Sequence, residues 1–208
     1  MVLELGYVAA GTGVVTPISV QVKKVTPDRI KEFQIINKEE RNKWCTHGKQ
    51  CSKYGRRPCC PPWCKLFSEM PQHDFFYLVA VGCNIQEYWD AHPKVQGHQY
   101  FGMQGSHVLT RSLQNKVVST FEGQHFRVGG CSGCQFSKTG KCKNFAPSLE
   151  AAGINVVLLA KEVLGYKLGW WTKEGLMENI YAIGGVATNK KISPLEFKQT
   201  IRRCCNVA

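Results

Sequence analysis

The chain of 208 residues has no apolar run close to the roughly 20 residues that a membrane-spanning helix needs. Its longest apolar stretches, Phe75 to Cys83 and Ile154 to Leu164, have the length of a strand or a short helix, so no membrane crossing is expected. The first residues, MVLELGYVAAGTG, lack the basic opening of a secretory signal, and Glu4 interrupts the apolar part. A cytoplasmic location is the expectation. Acid is scarce as well, with 15 Asp plus Glu against 27 Lys plus Arg, a formal charge of +12. Charged residues reach only 20% while 43% are hydrophobic, which excludes a disordered tail and leaves enough apolar surface to offset chain entropy. No solenoid repeat and no low-complexity segment is present.

What the chain does have is cysteine. There are 11, an odd number that forbids complete pairing. A reducing compartment disfavours structural disulfides and turns clustered thiols into metal ligands or redox groups. All but Cys83 fall into three groups: Cys45, Cys51, Cys59, Cys60 and Cys64; Cys131, Cys134 and Cys142; and Cys204 with Cys205.

Periodicity and caps give a coarse fold. Thr26-Pro27 opens a helix with Ile30 and Phe33 on one face, expected to end before Trp44. The Gly-, Pro- and cation-rich stretch from Cys45 to Pro62 reads as irregular backbone. Asp74 to Cys83 reads as a buried strand that carries Cys83 into the core. Leu109, Leu113 and Val117 recur at helical spacing, with Ser106 as expected N-cap. A short strand from His125 to Gly129 delivers the chain to Cys131. Pro147-Ser148 is expected to open a helical turn, Asn155 to cap a helix that stops at Gly165, and Ile180 to Val186 to form a strand. Ser193-Pro194-Leu195-Glu196 combines a capping box with proline in the first turn and starts a helix ending near Arg203. Alternating strands and helices favour an α/β fold, or α+β, with a small central sheet and flanking helices. The expected organisation is one domain over residues 1–208, with an N-terminal arm (1–26) and two cysteine loops (45–64 and 131–156).

The chemistry lies in those loops. Cys131-Ser-Gly-Cys134 has the spacing at which a tight turn aims two sulfurs at one metal, and Cys142 is within reach. Cys60-Pro61 resembles the Cys-Pro step of ferredoxin-type loops, where proline stiffens the exit from a ligand. A zinc ribbon would show two C-x-x-C knuckles, and this chain has one. A thioredoxin-like motif needs a helix straight after the knuckle, which Gly133 and the polar run after Cys134 oppose. Spacing alone therefore ranks iron–sulfur ahead of zinc, with dithiol redox third.

The string Cys51-Ser-Lys-Tyr54-Gly55, then Cys60-Pro61-Pro62, then Gly130-Cys131-Ser-Gly-Cys134, Cys142 and Pro147-Ser148-Leu149-Glu150-Ala151-Ala152-Gly153-Ile154-Asn155-Val156 resembles the predicted metal-binding family known as domain of unknown function twenty-two eighty-four. The resemblance spans roughly Cys45 to Gly165. It implies a cysteine-ligated metal centre, iron–sulfur in anaerobe-type metabolism, and no established reaction. Cys51, Cys60, Cys131, Cys134 and Cys142 match the family's cysteines. The family has a cysteine closer before the one matching Cys51 than Cys45 is here, and another shortly after Cys134 where Phe136, Ser137 and Lys138 stand. The ligand set expected is Cys45, Cys51, Cys60, Cys64, Cys131, Cys134 and Cys142, holding one or two [4Fe-4S] clusters, with zinc as the alternative. An eighth ligand would come from Cys59, Cys204, Cys205 or His47, or one iron would stay open. Full ligation suits electron transfer with a redox partner protein. An open iron suits a Lewis-acid enzyme acting on a small molecule.

Other residues read more plainly. The six histidines stand singly without an H-x-x-x-H pair, Gly11-Thr-Gly13 is a turn, and Trp170-Trp171 is expected at a core edge. Glu150 is expected to stabilise a helix start, or else to serve as an acid/base near the centre. Clustered cations invite a nucleic-acid reading, or one of docking to an acidic protein on a zinc-stabilised module. Ten of the 27 basic residues, among them Lys49, Lys53, Arg56, Arg57, Lys65, Lys138, Lys141 and Lys143, are instead interleaved with the thiols. There they would lower thiolate pKa values and offset cluster charge.

Overall fold

The computed structural model describes residues 1–8, 13–35, 37–46, 52, 54–93, 99–130, 145–168 and 177–206, with backbone alone for 44, 45 and 99–102. The five strands among them are β1 (Val2–Val8), β2 (Val15–Val25), β3 (Phe75–Asn84), β4 (Gln124–Phe126) and β5 (Asn179–Thr188). They form one sheet in the order β1-β2-β3-β5-β4, antiparallel at every step. β3 is the middle strand because its run FFYLVAVGC is apolar at both parities and so loses water on both faces. The fold class is α/β as expected, and residues 1–26, expected as an arm, contribute two strands instead. Their alternation, with Ile18, Val20 and Val22 buried between exposed or half-buried neighbours, carries the signal.

Helices cover both faces. Phe76, Leu78 and Ala80 point to one side, where Ile30 of α1 (Pro27–Lys31), Phe67, Leu149 and α5 (Val156–Leu159) pack on them. Tyr77, Val79 and Val81 point to the other, beneath α4 (Gln99–Val118) and α6 (Pro194–Cys204). The remaining α-helices among the described residues are α2 (Lys38–Thr46) and α3 (Ile85–Ala91); α5 runs on into a π-helical turn, Ala160–Leu164, and a 3-10 turn spans Phe67–Glu69. Among the described residues no helix is long and apolar enough to cross a membrane.

Four caps act as expected. Thr26 Oγ1 accepts from Arg29 N–H, Asn155 Oδ1 from Leu158 N–H and Ser193 Oγ from Glu196 N–H, while Gly165 closes its helix in the left-handed conformation. Three expectations need correction. The first helix breaks after Lys31, because Phe33 to Ile35 leave it to pair with Gly153 to Asn155, and Asn37 Oδ1 then caps α2 by accepting from Glu40 N–H. Cys45 consequently lies in the last turn of a helix rather than in irregular backbone. Ser106 sits inside α4, fully buried, its hydroxyl donating to Met103 O. Gly105, beside it, is a contact point: a β-carbon there would stand 2.3 Å from the Tyr88 hydroxyl of α3.

Candidate metal centre

The first cysteine loop is a chain of tight turns that satisfies its own backbone. Gly55, at φ 67°, donates to Pro61 O at 2.8 Å, and Trp63 Nε1–H returns to Gly55 O at 3.1 Å. Cys60 O accepts from the N–H groups of both Trp63 and Cys64, at 3.1 and 3.0 Å. Cys59 is fully buried, Cys60 half-buried, and Cys64 buried in the core beside Ile30 and Phe67. Arg41 of α2 holds the exit of this turn. Its Nη1 donates to Cys64 O at 2.5 Å and Ala151 O at 3.2 Å, and its Nη2 to Pro62 O at 3.4 Å.

The second cysteine segment is described only at its two ends, and both rest on the first loop. Its entry is fixed by α4: Val128 N–H donates to Gln114 Oε1 at 3.3 Å, and Asn115 Nδ2 donates to Val128 O at 3.2 Å. Arg127 N–H then donates to Pro147 O, which ties entry to exit, and Gly129 and Gly130 turn the chain at φ 75° and 70°. At Gly130 a β-carbon would stand 3.2 Å from Cys59 Sγ and 3.8 Å from Ala146 O. Cys59 also packs on Ala146, with Cys60 and Phe145 against the pair. Residues 130 and 145, the flanks of Cys131, Cys134 and Cys142, are thereby held at Cys59–Cys60. An aromatic triangle secures the same arrangement from below. Phe67, just after the first loop, meets Phe76 of β3 and Phe126 of β4 at centroid distances of 5.7 and 5.4 Å, and Phe76 meets Phe126 at 5.5 Å. Truncating any one to Ala would cost about 3–5 kcal/mol.

The long run Pro147 to Asn155 proves to be a cradle. The carbonyls of Ala151, Ala152 and Gly153 accept from Arg41, Phe67 N–H and Ile35 N–H, and Asn155 N–H donates to Phe33 O. Gly153 is required at φ 84°, with Leu66 only 2.7 Å from where a β-carbon would lie. Its first part forms the helical turn expected, with Ala152 N–H donating to Ser148 O at 3.1 Å and Ala151 N–H to Ser148 Oγ at 3.2 Å, and it stops there as the carbonyls of Ala151, Ala152 and Gly153 turn to the neighbouring chain. Glu150 stands in that turn, two residues after its Ser148 cap. It is reached by water yet surrounded by protein, and lost hydration raises its carboxyl pKa, partly offset by its own N–H and the Ser148 hydroxyl.

The other described thiols stand on the far face of the sheet. Cys83 shares the parity of Val79 and Val81 on β3, and burial pushes its pKa up to about 12. Cys204 and Cys205, expected at an exposed chain end or swinging in as ligands, are 5% and 0% exposed beneath Val117 and Phe197. Burial, then the neighbouring Cys204, pushes Cys205 to about 11, against the pull of Lys116. Lys116 Nζ donates to Cys204 O, and Val8 N–H to Cys205 O, which pins the chain end. Cys51, Cys131, Cys134, Cys142, His47 and Trp170-Trp171 lie outside the described residues, as does the Cys45 side chain. Among the described residues no three His, Cys, Asp or Glu side chains gather to hold a metal ion. Sequence reasoning missed Arg41, Gln114 and Asn115, which look like ordinary polar helix residues; Asn37, three positions before an acidic residue at a helix start, was readable.

An antiparallel sheet flanked by helices carries the first cysteine loop on one face, with both ends of the second cysteine segment seated on it, an arrangement compatible with a metal centre. The comparison with known families agrees: residues 28–186 match the predicted metal-binding protein family DUF2284, and the chain belongs to it. No curated protein and no solved structure matches it.

Proposed function

We propose that this member of a metal-binding family is an iron–sulfur protein whose two cysteine segments ligate its clusters together, and that it carries electrons. The observation that carries the reading is the seating of Gly130 and Phe145–Ala146 on Cys59–Cys60, which brings both ends of the second segment to the first. The donor chemistry fits. Residues 41–68 and 123–149 contain no Asp or Glu, so the donors offered are soft thiols suited to iron–sulfur and unsuited to magnesium or calcium. Setting aside Cys83, Cys204 and Cys205 on the far face leaves Cys45, Cys51, Cys59, Cys60, Cys64, Cys131, Cys134 and Cys142. Eight thiolates match two fully ligated [4Fe-4S] centres, with Cys59 as the eighth, and full ligation suits electron transfer better than chemistry at an open iron. Bound clusters would supply one-electron chemistry; the chain's own part is to fix the thiols and surround them with cations.

Anaerobic purification with iron, acid-labile sulfide and zinc counted per chain tests this. About eight irons and eight sulfides per chain are expected. Stoichiometric zinc without sulfide would replace the reading with a zinc-stabilised binding module. Two centres of which one binds a small exogenous ligand when reduced would turn the electron carrier into a cluster-dependent enzyme.

A further inference from the structure

We propose that Arg41 is a positioning residue of the metal centre, fixing the exit of the first cysteine turn while supplying the buried positive charge that balances the thiolate-bound metal. The inference rests on the iron–sulfur reading. Arg41 is the largest fully buried side chain among the described residues, with no exposed surface. Its guanidinium donates to three main-chain carbonyls, those of Pro62, Cys64 and Ala151, and through Nε and Nη2 to Asn42 Oδ1 at 3.3 and 3.0 Å. Every one of these acceptors is neutral. Glu69, the acid whose carboxyl feels Arg41, pairs with Lys38 Nζ at 2.7 Å and accepts from Leu66 N–H, so among the described residues no carboxylate forms an ion pair with Arg41.

A cation removed from water costs several kcal/mol, and removing only its charge would relieve that cost unless a counter-charge stands near. The stretch 41–68 supplies none from its side chains as acids, whereas thiolate ligation of a cluster leaves each centre at about −2. Two of the three carbonyls that Arg41 grips belong to the loop carrying Cys60 and Cys64, so the same side chain sets the path of the ligands and the field they sit in. Outer residues of this kind change metal affinity by about 10–100-fold when removed. Among the described residues, no other side chain on this face combines complete burial, a full charge and a direct hold on the cysteine turn.

Charge and grip are separable by substitution in the full-length, cluster-loaded protein. Arg41→Lys keeps the charge and loses the fork; Arg41→Gln keeps some hydrogen bonding and loses the charge. Expected for Arg41→Gln are a reduction potential moved to more negative values, because the reduced cluster loses its nearby cation, and chelator removal of iron about 10–100-fold faster. Arg41→Lys should hold the potential near wild type while still losing iron faster. If Arg41→Gln does not fold, Asn42→Asp leaves the fork in place and sets a carboxylate against it, and the potential should again fall. Wild-type potential and chelator resistance in Arg41→Gln, or in Asn42→Asp if that is the variant that folds, would overturn the proposal. Zinc or no sulfide in the unmutated protein would instead overturn the reading beneath it, so the two failures are told apart.

Discussion

Buried or half-buried cysteines occur on both faces of the sheet, and the two sets differ in their surroundings. Cys83, Cys204 and Cys205 sit on β3 and at the end of α6, in regular structure, and where burial shifts a thiol there it shifts it toward the neutral form. Cys59, Cys60 and Cys64 sit on irregular turns whose backbone groups are tied to one another, to Arg41 and to the flanks of a second cysteine segment. Burial alone does not tell a core thiol from a ligand. The surrounding backbone and charge do. The comparison breaks most sharply if the wrong set governs metal content. Cys60→Ser or Cys59→Ser should remove about one cluster's iron and sulfide or visibly change the spectrum of the reduced protein, whereas Cys204→Ser and Cys205→Ser should leave both as in wild type. Iron lost on changing Cys204 or Cys205, in a protein that still melts cooperatively, would reverse the assignment of faces.

A smaller effect sharpens the contact between the loops. Gly130 and Gly165 both adopt left-handed backbone, at φ 70° and 77°, so replacing either with Ala carries a similar penalty of about 1–2 kcal/mol. Their surroundings differ. A β-carbon at Gly165 meets nothing within 4 Å, while at Gly130 it meets Cys59 Sγ at 3.2 Å. Gly165→Ala should therefore lower thermal stability and leave the cluster spectrum alone. Gly130→Ala should lower stability by a like amount and also change iron content or spectrum. Equal spectra for the two would mean that the packing of Gly130 on Cys59 has no bearing on the metal.

The contrast between the faces was half legible beforehand. Cys83 was placed in the core because an apolar run at both parities can only be a doubly buried strand, and β3 is that strand. Asn155, Ser193 and Gly165 were readable because a cap is decided by residues three or four apart. Cys204 and Cys205 were not: a basic, terminal Arg-Arg-Cys-Cys looks solvated, and its burial depends on α4 and the strands folding over it from far away in sequence. Arg41 escaped for the same reason, since its three carbonyl partners lie 21, 23 and 110 residues away. The strands of residues 2–25 were missed although Ile18, Val20 and Val22 alternate with polar residues, because the Gly and Pro among them read as turn residues; pairing of β1 with β2 and of β2 with β3 sets their register.

The smallest expected effect concerns the thiols of the far face, and its sign follows from their pKa shifts. Cys83 ionises near 9 when exposed and near 12 in the folded protein, because burial disfavours the thiolate and the carboxylate of Glu87 adds to the shift. A raised folded pKa means that the native state holds its proton longer than the unfolded chain does. The stability this contributes is complete below pH 9 and is lost as pH rises from there toward 12, at up to about 1.4 kcal/mol per pH unit. Cys205 adds a smaller total loss over the lower part of that window. Melting curves taken from pH 7 upward in Cys83→Ala should thus start below wild type, from the lost packing, and then converge on it as pH passes 9. Parallel curves would show that Cys83 ionises in the folded protein as easily as in the unfolded chain, and the chemical contrast between the two faces would lose its clearest member.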